Sequence, residues 1–274
     1  MMTATILQET ELDTLRRRCG ELERELETLR MKQRARLTIA ADAHQSLLPG
    51  PVRRDSIWVD VRYVPIEEVG GDYCQVRFPD PRTCYITMCD VMGHGVGAAI
   101  LATRVSSEVR YGITYGREPR DIVRSLERFM RQFFADSELF FTFVAARIDL
   151  DRMELTYSGA GHPSPLLIRP DENSYRGLTS QNPIVGLGTP DLENVRQDAV
   201  ALRAGDRLVF FTDGLFEVNN SNGRQLGIDG LARVVRNAAD CDLFETADVV
   251  LDRIRQYEAG PNTDDQTLIV AELR

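Results

Sequence analysis

The chain has 274 residues, with 33 basic side chains against 42 acidic ones and a formal charge of -9. Nucleic-acid affinity rests on Lys and Arg neutralising phosphates, so this balance, with no basic block long enough to form a stripe, argues against a polyanion-binding role. Hydrophobic residues at 43% and charged residues at 27% exclude wholesale disorder and collagen-like repeats, and the length suits one large domain or one domain with an appendage. No apolar run approaches the roughly 18 residues that span a bilayer; the longest, Val96 to Ala102, is short and rich in small residues. The opening MMTATILQET lacks the basic and apolar regions of a secretory signal. Five scattered cysteines (Cys19, Cys74, Cys84, Cys89, Cys241) with no CxxC pair argue against a disulfide framework or a structural zinc site, so the expected location is cytoplasmic. Lys32 is the one lysine among the 33 basic residues, a skew ascribed to genome composition.

Residues 1 to 45 hold eight basic and eight acidic side chains, so the whole -9 belongs to the remainder. With Leu12 at heptad position a, Leu15 falls at d, Cys19 at a, Leu22 at d, Leu26 at a and Leu29 at d, a coiled-coil seam. In a parallel, in-register homodimer the g to e' pairs Glu11 with Arg16, Arg18 with Glu23, and Glu25 with Arg30 are all opposite in sign. Each contributes about 0.2 to 1 kcal/mol, so they select orientation more than they add stability. The seam is short, roughly 27 Å at 1.5 Å per residue, and marginal by itself. It continues through the weaker Gln33, Arg36, Ala40, Ala43 and Leu47 until LLPGP (Leu47 to Pro51) ends the helix. The reading favoured is a parallel homodimer through residues 12 to 47 that feeds a signal into the next domain. The alternative is an amphipathic helix packed on its own domain. The expected division is 1–48 for the helix and switch segment and 49–274 for the following domain.

From Ile57 the pattern changes. WVDVRYVP alternates as a strand, and TCYITMCDV reads as an apolar strand ending at Asp90. Helices are expected over Gly97 to Tyr111, Pro119 to Phe134, Ile228 to Asn237 and Phe244 to Tyr257, and a hairpin over Phe141 to Leu150 and Glu154 to Tyr157. Acidic residues stand at strand ends or turns: Asp72 in GGDYC, Asp90 in CDVMGHG, Asp213 in FFTDG after the strand Arg207 to Phe211, and Asp264 with Asp265 in NTDDQT before the strand Thr267 to Ala271. Each alone is what an ordinary turn uses. If the strands share a sheet the carboxylates converge, and two unit charges about 4 Å apart repel by roughly 4 kcal/mol at an effective dielectric near 20. Such a cluster needs a cation, and an all-carboxylate shell selects magnesium or manganese over zinc.

GGDYC, CDVMGHGVGAAI, FFTFVAARIDL, LTYSGAGHPSPLL, NPIVGLG, LRAGDRLVFFTDGLFE and TDDQTLIV resemble, in order and spacing, the PPM-type (protein phosphatase 2C-like) serine/threonine phosphatases of the SpoIIE/RsbU branch, from about residue 45 to the end, and HQSLLP looks like the segment that introduces the domain there. The resemblance implies an α+β fold, an α-β-β-α sandwich of two packed antiparallel sheets flanked by helices, here with an N-terminal coiled-coil helix. It implies two divalent cations, Mn2+ or Mg2+: Asp90 bridging both, the backbone carbonyl of Val91 as a further ligand, Asp213 and Asp264 completing one metal, and Asp72 serving the other directly or through water. It implies direct attack of a metal-bridging hydroxide on phosphoserine or phosphothreonine, without a phosphoenzyme. The implied substrate is a STAS-type anti-anti-sigma-like regulator in bacterial partner switching.

Asp265 matches a family asparagine or aspartate and is placed behind the ligands, while Gly70, Gly71, Gly93 and Gly95 permit tight turns. Eukaryotic relatives carry a proton-donating histidine where this chain has Met92. His94 lies two positions further on and is read as lining the site or capping the next helix. Glu67 stands where those relatives have a phosphate-binding arginine, so phosphate affinity would rest on the metals. His162 in GAGHP is read as a structural hydrogen-bonding residue, Cys89 as a buried strand cysteine and Trp58 as packing. A catalytically weak phosphatase-like module acting through its coiled coil is the competing reading; a metal-dependent phosphodiesterase or nuclease is disfavoured by the acidic balance. With no room for a sensor or receiver domain ahead of the helix, input is expected from an activator protein, unless the chain is part of a longer one.

Overall fold

The computed structural model describes residues 2–93, 95–172, 174–187, 194–238 and 241–274; for residues 2–14, 33–37, 39, 40 and 43 only the helical backbone is described. The chain divides after Ala43 into two units. The first belongs to one helix, α1 (Met2–Gln45). Leu15, Leu22, Leu26 and Leu29, all seam positions, are 60%, 49%, 48% and 58% exposed, and Cys19 is exposed with them.

The second unit, His44–Arg274, is built on two antiparallel sheets. One has six strands, in the order β1 (Val52–Arg54), β2 (Ile57–Val64), β11 (Gln266–Leu273), β10 (Arg207–Phe211), β7 (Leu166–Ile168) and β8 (Tyr175–Gly177). The other has five, in the order β3 (Asp72–Asp80), β4 (Thr83–Val91), β5 (Phe141–Asp149), β6 (Glu154–Ala160) and β9 (Asp198–Ala201). Four helices complete the unit: α2 (Val96–Thr114), α3 (Pro119–Phe133), α4 (Gly227–Arg236) and α5 (Leu243–Tyr257).

The period-2 alternation of the strands divides the apolar residues between layers. Ile86 and Met88 of β4 meet Phe210 of β10 and Ile269 and Ala271 of β11 in the core between the sheets. Their neighbours Tyr85, Cys89 and Val91 face outward and bury α2 and α3 through Leu101, Val105 and Leu126. On the far side Val209, Phe211, Leu268 and Val270 bury α4 and α5 through Leu231, Val250 and Ile254. The result is the four-layer α-β-β-α sandwich. In α3, Ile122, Leu126, Phe129 and Met130 are buried, while Phe133, at the same spacing, is 59% exposed.

The strand ending at Asp90 runs one residue further, because Val91 still pairs with Phe141. Helix α2 extends beyond its expected bounds at both ends, from Val96 to Thr114. Trp58 is half-buried, with the guanidinium of Arg274 3.5 Å from its ring centroid and Phe244 beside it.

Candidate active site

The acidic motifs meet where the two sheets are stitched together at one end. Asp72 opens β3 and stands directly opposite Asp90 of β4 in the antiparallel register. Asp213 follows β10 in a 3-10 turn, Asp213–Leu215, and its carbonyl accepts the backbone N–H groups of Phe216 and Glu217 at 2.9 Å. Asp264 stands just before β11, exposed, with its Oδ1 accepting the Asp265 N–H at 2.8 Å. Because β10 and β11 are neighbours in one sheet and β3 and β4 in the other, four turns far apart in sequence deliver carboxylates to one place.

Two threonines and one aspartate make the stitches. Oδ2 of the buried Asp72 accepts hydroxyl hydrogen bonds from Thr212 at 2.8 Å and Thr267 at 2.5 Å, both from the opposite sheet. Thr212 is itself held by the Thr267 N–H, 3.0 Å from its hydroxyl. Asp265, 3% exposed, reaches back the other way: its Oδ1 accepts the Ile66 N–H at 2.9 Å and its Oδ2 the Gly71 N–H at 2.7 Å and the Asp72 N–H at 3.5 Å. Asp265 therefore moulds the loop that presents Asp72. Gly70 has no alternative there, since a Cβ would run into the Asp265 carboxylate and the Tyr63 hydroxyl; at Gly71 it would come within 2.8 Å of the Val91 carbonyl. The turn after Asp90 needs Gly93 (φ 85°) and Gly95 (φ 79°) in the left-handed region.

Burial and mutual repulsion leave Asp72, Asp90 and Asp213 reluctant to ionise. Asp72 is held well above the usual carboxylate range, first by burial and then by Asp90, although its two hydroxyl donors pull the other way. Asp90 is pushed up to about 7 by burial and by the charges of Asp213, Asp264 and Asp265, and Asp213 to about 6 by burial, Asp264 and Glu217. Among the described residues no three Asp, Glu, His or Cys side chains are already closed on a common point. The carboxylates stand as neighbours that repel one another. An all-oxygen donor set under this strain fits a hard divalent cation, whose charge would draw the carboxylates in and restore their ionised forms.

The remaining sequence candidates fall in different places. His94 lies outside the described residues. His162 is buried, 2.8 Å through Nδ1 from the Thr142 hydroxyl, and burial pushes its imidazole down to about 3, so it stays neutral and serves as a hydrogen-bonding residue. Cys89 is fully buried with its thiol pushed well up, which keeps it inert. Glu67 is exposed, and its carboxylate lies 3.1 Å from where a Cβ on Gly95 would stand. Thr212, Thr267, Tyr63 and His44 all stand inside the runs read from the sequence, where nothing marks them for a role. The His44 ring packs on Tyr63 with centroids 5.8 Å apart, and both are close enough to feel the charge of Asp265.

Comparison with known proteins agrees with this architecture. The family model described as Stage II sporulation protein E (SpoIIE) matches residues 80–274, a span that holds Asp90, Asp213 and Asp264 and begins just after Asp72. Two curated relatives from Bacillus subtilis are phosphoserine phosphatases: RsbU, 26% identical over 92% of this chain and 75% of its own, and RsbP, 24% identical over 89% of this chain. The chain spans 59% of the length of RsbP. Among solved structures, the SiaA-PP2C domain of Pseudomonas aeruginosa superposes with a TM-score of 0.78 at 21% identity, covering 89% of this chain and 98% of that one. RsbX, solved in complex with magnesium, gives 0.61 at 15% identity, over 82% and 99%. Fold, motif order and family model agree: the chain belongs to the SpoIIE family and has the PP2C-type fold.

Proposed function

We propose that this chain is a metal-dependent serine/threonine phosphoprotein phosphatase that dephosphorylates a STAS-type anti-anti-sigma-like regulator in a cytoplasmic bacterial partner-switching pathway. The observation that carries the reading is the convergence of Asp72, Asp90, Asp213 and Asp264 from strand ends of both sheets, a negative cluster in which burial and mutual repulsion raise the proton affinities of Asp72, Asp90 and Asp213 and which calls for neutralisation. Two divalent cations, Mn2+ or Mg2+, would supply that neutralisation and activate water for attack on phosphorus.

The chain's own residues set up the reaction. Asp90 and the Val91 carbonyl would hold the cations from β4, Asp213 and Asp264 from the opposite sheet. Asp72 has Oδ2 committed to Thr212 and Thr267 and so presents Oδ1. Hydrolysis is by direct attack of water: the P–O bond to the serine or threonine breaks, and that oxygen leaves as the hydroxyl with a proton. The test is manganese-dependent phosphate release from the phosphorylated STAS proteins of the same genome. Release abolished by Asp90→Asn and by Asp213→Asn is expected; a protein that binds no manganese and releases no phosphate would refute the proposal.

Residues 1–48 act in this reading as a dimerising helix and switch segment and 49–274 as the phosphatase domain, with an activator protein supplying the input. The exposed Leu15, Leu22, Leu26 and Leu29 and the sign-matched g to e' pairs support a parallel homodimer. At micromolar concentration the chain is expected to sediment as a dimer and the Leu22→Glu, Leu26→Glu double variant as a monomer. A monomeric parent chain overturns the assignment.

A further inference from the structure

Seven large apolar side chains are exposed among the described residues of the second unit, and five of them gather at the carboxylate end. They are Met92 (42% exposed), Val96 (43%), Ile100 (62%), Phe133 (59%) and Leu187 (53%). The other two, Tyr111 and Tyr115, pack on each other at the far end of α2, ring centroids 4.6 Å apart.

Chain proximity and the contacts of neighbouring residues set the five along one rim. Met92 lies two residues beyond Asp90, and its N–H donates to the Phe140 carbonyl at 3.2 Å. Val96 and Ile100 follow on one face of α2, spaced by four residues. Helices α2 and α3 run as an antiparallel pair, so the start of α2 meets the end of α3. There Arg104 lies over the Phe129 ring at 5.3 Å and Phe129 stacks against Phe133 at 5.5 Å. Leu187 follows Gly186, where a Cβ would touch the Leu139 carbonyl at 2.9 Å and Met130 of α3 at 3.1 Å. Exposed charges of both signs flank the rim: Arg104, paired with Glu108 at 3.7 Å, and Arg131 on the helices, Glu67 beside Gly95, and Asp136 and Glu138 between Phe133 and Leu139.

We propose that this rim is the docking surface for the folded phosphoprotein substrate, an inference that rests on the phosphatase reading above. Contiguous apolar surface on a soluble chain marks a partner site. Five half-exposed side chains offer a few hundred Å2, below the roughly 800 Å2 per partner that a stable dimer buries and suited to a transient encounter. A permanent partner seated beside Met92 would also close over Asp90, whereas a substrate must come there. Charges of both signs around an apolar centre make the polar rim of an ordinary transient interface.

The test uses the full chain with manganese and two substrates, a phosphorylated STAS-type protein and para-nitrophenyl phosphate. Ile100→Glu and Leu187→Ser are expected to raise KM for the phosphoprotein at least about tenfold, the effect of losing an interface anchor, with para-nitrophenyl phosphate turnover unchanged. Equal losses on both substrates, or no loss on either, overturn the docking surface alone. Conversion of a dimer to a monomer by Ile100→Glu would assign the face to a second copy and overturn it too. A parent chain inert towards both substrates brings down the phosphatase reading itself.

Discussion

Asp90→Asn is expected to lower manganese-dependent phosphate release by about a thousandfold or more and, at the same time, to raise the melting temperature of the metal-free protein. Both effects have one origin. Asp90 faces Asp72 across the β3–β4 register and feels Asp213, Asp264 and Asp265, so its proton is held up to about 7. Losing the carboxylate forfeits several kcal/mol of cation-mediated transition-state stabilisation, and about 4 kcal/mol is a thousandfold in rate. Without metal, the same carboxylate is a liability. Its folded pKa lies above the unfolded value near 3.9, so between roughly pH 4 and 7 the native state holds more protons than the unfolded chain and stability falls as pH rises. Asp213, at about 6, adds to the same trend. The gain in melting temperature from Asp90→Asn should therefore be larger at pH 8 than at pH 5. Manganese at a hundred times its dissociation constant contributes about 2.7 kcal/mol to the parent, or roughly 5 to 10 °C, and the variant should lose most of that gain. Scanning calorimetry with and without manganese at the two pH values checks all of this; a variant less stable than its parent in chelator at pH 8 would refute the electrostatic reading.

The local chemistry of the fold and of the carboxylates could be read from residues, and the stitches could not. Arg207 to Phe211 is a strand at the bounds its apolar run implies, and Pro119 opens α3 because its fixed φ suits a first turn. Asp72, Asp90 and Asp213 announced themselves as acidic residues near turn glycines at the ends of apolar runs, and Asp264 as half of an acidic pair just before one. Thr212 and Thr267 carried no such mark, since a β-branched residue at a strand end is what β propensity alone would place there. Their role depends on β10 and β11 being neighbours and on β3 facing them from the other sheet, a pairing between residues as distant as 72 and 267. Periodicity reports which face of an element is buried; it does not report which element covers it. The same holds for Tyr63 and Gly70, which matter because a carboxylate almost two hundred residues away fills the space beside them.

Asp265→Ala should be the most damaging change among residues not proposed to bind metal. Its carboxylate is buried and takes backbone N–H groups from Ile66, Gly71 and Asp72, so it holds the loop between β2 and β3 in the shape that delivers Asp72 opposite Asp90. Alanine leaves those donors facing a void with no acceptor, and each buried unsatisfied group costs about 1 to 3 kcal/mol. Positioning partners behind metal ligands are typically worth 10- to 100-fold in affinity, so manganese binding by calorimetry should weaken by that factor and turnover fall with it. Asp265→Asn keeps one acceptor oxygen and should retain most of the stability. The contrast with Asp264→Asn separates the two neighbours. Asp264 is exposed and adds to the repulsion on Asp90 and Asp213, so its loss should weaken manganese binding without lowering the melting temperature of the metal-free protein, whereas Asp265→Ala should lower both. If Asp265→Ala left the metal-free melting temperature where it was, the loop would not depend on this carboxylate and Asp72 would owe its position to Thr212 and Thr267 alone.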